Sequence, residues 1–292
     1  MAEGVGSMSG MGAVPEAPRA EEKPKTGSWW QILLSGFGLF LVAVFVFGLT
    51  GNPNLFPTVA LLGNFLVPVS YVAFFYERRH LSQVTLVSTA RAFFYGGVLG
   101  VFAAALLEPI FITQLTFTSA FVVGLIEEFA KILGVLVVAR HHRHDSEIDG
   151  IILGGAAGMG FAALESSGYV FTAFVTSGGS LSALVVVTLI RGLLSPVGHG
   201  TWTAILASVL FREGAPNRFR ITGAVIGAYV TVVVLHGLWD GLPGLVGLIT
   251  GSGLDVLISQ GAVGLAGLII LRNRYLEALR REVQPQLTAA GQ

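Results

Sequence analysis

Apolar residues run along this chain in long blocks. Eight such runs, roughly 30–49, 56–76, 93–110, 117–139, 150–176, 181–211, 221–241 and 254–271, are separated by short polar connections. Each is near the ~20 residues that carry a helix across a hydrocarbon core. The pattern predicts an all-α, polytopic integral membrane bundle of about eight transmembrane helices. The sixth run is long and carries Ser195-Pro196 with Gly198 and Gly200, so a kink or break is expected there. Residues 1–28 are rich in Gly, Pro, Glu and Lys without apolar periodicity and read as a disordered cytoplasmic tail. The first apolar run starts too late and is too long for a cleaved signal peptide. The domain boundaries expected are a tail over 1–28, a membrane domain over 29–272 and a short basic cytoplasmic tail over 273–292.

Charge supplies the orientation. Of 17 Lys and Arg, three lie in the N-terminal tail, and three (Arg78, Arg79, Arg91) lie between runs two and three. Arg140 and Arg143 follow run four; Arg212, Arg218 and Arg220 follow run six; Arg272, Arg274, Arg280 and Arg281 follow run eight. The alternate connections, 50–55, 111–116, 177–180 and 242–253, carry none. Complete alternation predicts a cell-membrane protein with both termini in the cytoplasm. The composition agrees, with 53% hydrophobic and 12% charged residues. A formal charge of zero gives no argument for a nucleic-acid partner, and the absence of cysteine excludes a thiolate nucleophile or ligand.

Lys131 and Arg191 remain, and both sit within apolar runs. Run four reads Phe121-Val-Val-Gly-Leu-Ile-Glu127-Glu128-Phe-Ala-Lys131-Ile-Leu. An ionisable residue at mid-bilayer costs about 2.5–3.5 kcal/mol on insertion scales, so three within a turn need a function or firm partners. Lys131, three and four residues on, can reach both acids. Run five adds Phe161 and Glu165, run six Arg191 and His199, and run seven His236 and Asp240. Counting ~1.5 Å per helical residue from the cytoplasmic ends puts Glu127, Glu128, Glu165, His199 and His236 at ~17–24 Å of a ~30 Å core. The five therefore converge just past the midplane, toward the outer leaflet. Asp240, one turn beyond His236 on the same face, is placed to orient its imidazole.

Carboxyl groups in such a place can take a proton from water and return it to a leaving amine, and imidazoles can bind a metal or donate to an oxyanion. Hydrolysis within the bilayer follows as the favoured chemistry. No G-x-S-x-G accompanies the cluster and Ser195 lacks an obvious base, which disfavours a serine mechanism. The same groups could form the relay of a proton-coupled transporter or channel, or an ion cluster that only fixes packing in a scaffold protein. No fixed-period repeat supports a repeat-built transporter.

Four motifs in order, E-E-x-x-K (Glu127, Glu128, Lys131), F-x-x-x-E (Phe161, Glu165), R…H (Arg191, His199) and H-x-x-x-D (His236, Asp240), resemble the PrsW family of intramembrane proteases over about residues 57–245. That family is related to the CAAX prenyl endopeptidases and bacteriocin-processing membrane proteases. The resemblance implies an endopeptidase cutting membrane-protein or lipid-anchored substrates; in the family's namesake the substrate is an anti-sigma factor, cut from the outer side. It also implies either a metalloprotease, with zinc the expected divalent ion, or a metal-free glutamate mechanism, and both stay open here. On this basis Glu127 or Glu128 activates water, and His199 and His236 are metal ligands or oxyanion stabilisers. Glu165 is a third ligand or a proton shuttle, Lys131 and Asp240 orient the others, and Arg191 gates the site or binds substrate.

Other features read as structural. His141-His142-Arg-His144, with Asp145, Glu147 and Asp149, is expected to be a solvated loop in which Asp149 caps run five. Gly154-Gly-Ala-Ala-Gly158-Met-Gly160 follows no strand and reads as close helix packing, not a phosphate loop. Glu108 and Asp255, at outer ends of runs, need no function.

Overall fold

A computed structural model describes residues 27–79, 82–140, 146–214, 218–250 and 255–290. Among these it contains nine α-helices and no strand. They are α1 (Ser28–Thr50), α2 (Phe56–Tyr76), α3 (Leu86–Phe111), α4 (Ser119–Ala139), α5 (Glu147–Thr176), α6 (Leu181–Leu194), α7 (His199–Arg212), α8 (Gly223–Thr250) and α9 (Asp255–Ala290). Seven segments are long and apolar enough to cross a membrane, α6 and α7 forming one of them. The remaining one, α4, is long enough but carries Glu127, Glu128 and Lys131. The chain is a multi-pass membrane protein, and the eight apolar runs fall on these eight segments. Of the tail expected over 1–28, residues 1–26 lie outside the described residues, as do the histidines at 141, 142 and 144; its last residue, Ser28, already opens α1.

Several boundaries move. α3 begins at Leu86, seven residues before the apolar run, because Thr85 and Ser88 form a reciprocal capping box. Arg91 therefore lies inside a helix. The expected cap of α5 is corrected: Ser146, not Asp149, accepts the N–H groups of Ile148 and Asp149, while Asp149 takes the hydroxyl of Ser82. Glu147 is not solvated either. It is buried and faces Arg274 at 3.6 Å and Arg281 at 3.7 Å. Those arginines belong to α9, which runs unbroken past 272 to Ala290. These contacts gather the starts of α1 and α5 and the ends of α2 and α9 at one end of the bundle, where Glu77 also accepts hydrogen bonds from Gly27, Ser28 and Trp29.

α5 is the central post, buried without interruption from Glu147 to Ala163. Small residues permit this. Gly150, Gly154 and Gly158 recur every fourth residue and so share one face, which lies on α7. A Cβ at Gly154 would stand 2.5 Å from the carbonyl oxygen of Thr203. On the opposite flank, Gly96, Gly97 and Gly100 of α3 meet Ala157, Gly160 and Phe161. The glycine-rich stretch is thus a packing surface. Backbones that approach this closely gain the dispersion contact that lipid, as apolar as the side chains, cannot otherwise drive.

The sixth crossing breaks where Pro196 and Gly198 predict. α6 ends at Leu194, a 3₁₀ turn spans Ser195–Val197, and α7 starts at His199. Pro196 has no N–H for an α-helical bond to residue 192, and Gly198 adopts φ −102°, ψ −118°, outside the helical region. The break turns His199 inward at the start of a new helix.

Candidate active site

α4, α5, α6, α7 and α8 bring the predicted residues together. Lys131 is fully buried, and its Nζ donates to Glu127 Oε2 at 2.9 Å and Glu128 Oε1 at 2.8 Å, and contacts Nδ1 of His199 at 2.9 Å. It also lies 3.9 Å from the centre of the Phe161 ring. An ammonium has three hydrogens and no lone pair, so these partners exhaust it, and Nδ1 of His199 is an acceptor. The Nε2–H of His199 then donates to Glu165 Oε2 at 3.2 Å.

His236 is fixed from the other side. Its Nδ1 lies 3.0 Å from Glu128 Oε1, and Glu128 Oε2 takes the hydroxyl of Thr203 at 3.1 Å. Glu128 therefore spends its oxygens on Lys131, His236 and Thr203, with no exposure. Nδ1–H of His236 points at that carboxylate, so Nε2 presents its lone pair to Glu127 Oε2 at 3.5 Å and Asp240 Oδ2 at 3.3 Å. Three acceptors facing one another call for a cation between them, a proton or a metal ion. Trp202 packs against both imidazoles, with ring centres 5.2 Å from His199 and 4.8 Å from His236, which lie 5.1 Å from each other.

One ligand atom each of Glu127, His199 and His236 lies within 4.8 Å of the others. Two imidazoles and a carboxylate are a donor set for a catalytic zinc ion, and His236 is braced by Glu128 as metal-binding histidines are braced by carboxylates. The residues fit a divalent ion once His199 frees a lone pair, either by giving up the Lys131 contact at Nδ1 or by losing its Nε2 proton to Glu165. The carboxylate in this group is Glu127; Glu165, expected as a third ligand or a proton shuttle, lies beside Nε2 of His199 but outside the group. Glu165 is engaged by Arg191, whose Nη2 donates to Oε2 at 2.5 Å while its Nε donates to Ser166 Oγ at 3.0 Å. Arg191 also lies 4.0 Å over the ring of Tyr169.

A cavity of about 620 Å³ opens onto the cluster. Glu127, Glu165, His199, Arg191 and Asp240 line it; Glu128 and Lys131 do not. It extends past Ile112 and Leu115, toward the end of the bundle opposite the clustered arginines. Glu108 of α3 also lines it, contrary to the expectation that this residue is idle. Its Oε1 is buried with no hydrogen-bond partner among the described residues. Sequence alone had one clue to this: Glu108 stands two residues from the outer end of its run, as Asp240 stands one residue from the end of its own.

Residues 85–269 match the PrsW family of intramembrane metalloproteases. Among characterised proteins, the chain is 27% identical over 180 residues to Protease PrsW of Halalkalibacterium halodurans, covering 60% of this chain and 78% of that protein. No solved structure matches the chain. The family match includes every residue of the cluster, and it decides for a peptidase over the transporter relay and the inert scaffold: the chain belongs to the PrsW family of intramembrane metalloproteases.

Proposed function

We propose that the chain hydrolyses a peptide bond in membrane-anchored proteins, at the wall of this cavity, with Glu127, His199 and His236 holding a divalent metal ion. The observation carrying this is the approach of those three donors within 4.8 Å beside a cavity that a peptide segment can occupy. A bound zinc ion would polarise the scissile carbonyl and acidify a water.

The protein's own groups supply the rest. Glu165 faces the cavity on the Nε2 side of His199 and is held by Arg191. With Oε2 held by Arg191 and His199, its Oε1 accepts the proton of the attacking water as the water oxygen bonds to the carbonyl carbon, and passes it to the amide nitrogen as the C–N bond breaks, leaving a carboxylic acid and an amine. Glu128 and Lys131, sealed behind the cavity, position His236 and Glu127, and Asp240 braces His236 at its outer side. The substrates the family resemblance implies, anti-sigma-factor-like or lipid-anchored proteins, present such a segment near a membrane surface. The alternation of basic connections supports a reading in which the chain lies in the cell membrane with both termini in the cytoplasm and the cavity mouth toward the outside.

The test separates ligand from base. Purified Glu165→Gln is expected to keep its metal content and lose cleavage of a co-reconstituted substrate by ~10²–10⁴-fold, the usual worth of a positioned proton carrier. Glu127→Gln is expected to lose both. Full cleavage by either variant would rule the assignment out.

A further inference from the structure

A second cavity, of about 220 Å³, reaches the same histidine from behind. It lies between α5, α6 and the start of α9, and shares Arg191, His199 and Trp239 with the large cavity. Those three side chains are thus a partition with space on both sides. An endopeptidase, which cuts within a chain, needs room on each side of the scissile bond, and an extended chain advances ~3.3 Å per residue. The large cavity alone provides one side.

The small cavity's walls describe its occupant. Ala162, Ile190, Leu194, Trp239 and Val256 supply its apolar wall, with Gly198 of the helix break beside them. Several of its polar groups are already engaged: Ser166 Oγ accepts from Arg191, Ser195 Oγ donates to the Gly192 carbonyl, and Gln260 Nε2 donates to the Trp239 carbonyl. Ile190 is 46% and Val256 40% exposed, so the cavity is open to the lipid-facing surface between α6 and α9, which do not pack on each other. The space, about 220 Å³, admits a single side chain of an unwound strand.

We infer that this cavity is a specificity subsite, taking one apolar side chain of the substrate on the lipid-embedded side of the scissile bond. The inference rests on the peptidase reading above. The size of that side chain is set by Leu194 and Ile190, neither of which touches the reacting groups.

The experiment uses the full chain in nanodiscs and a set of transmembrane peptide substrates. Each carries Ala, Leu or Phe at one position flanking the cleavage site mapped by mass spectrometry. Leu194→Phe is expected to lower the kcat/KM ratio of Leu over Ala substrates at one position by about tenfold or more, the low end for a pocket altered by a methylene or larger group. Leu194→Ala is expected to raise acceptance of Phe there by a similar factor. Ile190→Phe narrows the same space from its lipid-exposed rim and is expected to act as Leu194→Phe does. Because each ratio is taken within one variant, loss of folded protein cancels. Ratios within twofold of wild type at every position, for all three variants, would overturn the subsite while leaving the peptidase intact. Cleavage by Glu127→Gln equal to wild type would overturn the peptidase site and the subsite with it.

Discussion

Lys131→Met tests whether the buried ammonium is the electrostatic keystone of the site. Lys131 has no exposure and compensates two carboxylates, at 2.9 and 2.8 Å, of which Glu128 is fully buried and Glu127 almost so. Methionine keeps most of the side-chain length and removes the charge. Removing one partner of a buried ion pair costs about 3–5 kcal/mol, because the other charge is left uncompensated. Here one cation serves two anions and also sits on the Phe161 ring, so the expected loss is at the upper end, about 5 kcal/mol. Equilibrium unfolding in mixed micelles reads it directly. The cause is isolated by a cycle. Lys131→Met combined with Glu128→Gln removes the stranded charge along with the cation, and is expected to be about 1–3 kcal/mol more stable than the two single losses summed. Lys131→Arg is expected to fall between wild type and Lys131→Met, since a planar guanidinium cannot meet three partners arranged around one nitrogen. If Lys131→Met were as stable as wild type within about 1 kcal/mol, or if the double variant were simply additive, the ammonium would not be compensating these carboxylates.

Three further outcomes follow from other parts of the structure. Elemental analysis of purified protein is expected to find about one divalent ion per chain, with Glu127→Gln and His236→Ala losing it and Glu128→Gln, which only braces His236, weakening affinity about 10–100-fold. Gly134→Ala would bring a Cβ to 2.6 Å from the Gly96 Cα and is expected to destabilise by about 1–3 kcal/mol, whereas Gly227→Ala, with nothing within 4 Å, is expected to stabilise by up to about 1 kcal/mol; the same unfolding assay compares the two. Burial by itself raises the carboxyl of Glu77, but hydrogen bonds from Ser28, Gly27 and Trp29 outweigh it and hold it below its ordinary value. A carboxyl lowered by folding stabilises at neutral pH and ceases to as pH falls through its folded value. Glu77→Gln is therefore expected to cost about 1–3 kcal/mol at pH 7 and progressively less below the ordinary glutamate range, a gap that stays constant with pH if the carboxylate's charge is irrelevant.

The chain's eight apolar segments, the break at Pro196 and Gly198, and the membership of the charged cluster were all legible in sequence. The physical reason is that hydrocarbon penalises each ionisable residue enough for Glu127, Lys131, His199 or His236 to stand out against an apolar run. Packing of the glycine-rich stretch was legible too, since only small residues let backbones touch. Three things were decided by tertiary structure alone. Glu127 faces the cavity while Glu128 is sealed behind it, because neighbours on a helix point about 100° apart, and lipid and protein interior are equally apolar, so no periodicity tells one face from the other. Glu165 is engaged by Arg191, leaving Glu127 as the carboxylate that joins the two histidines, an outcome set by how α6 leans on α5. Glu108 and the subsite behind His199 arise only where helices distant in sequence leave space between them, and a space has no residues of its own to read.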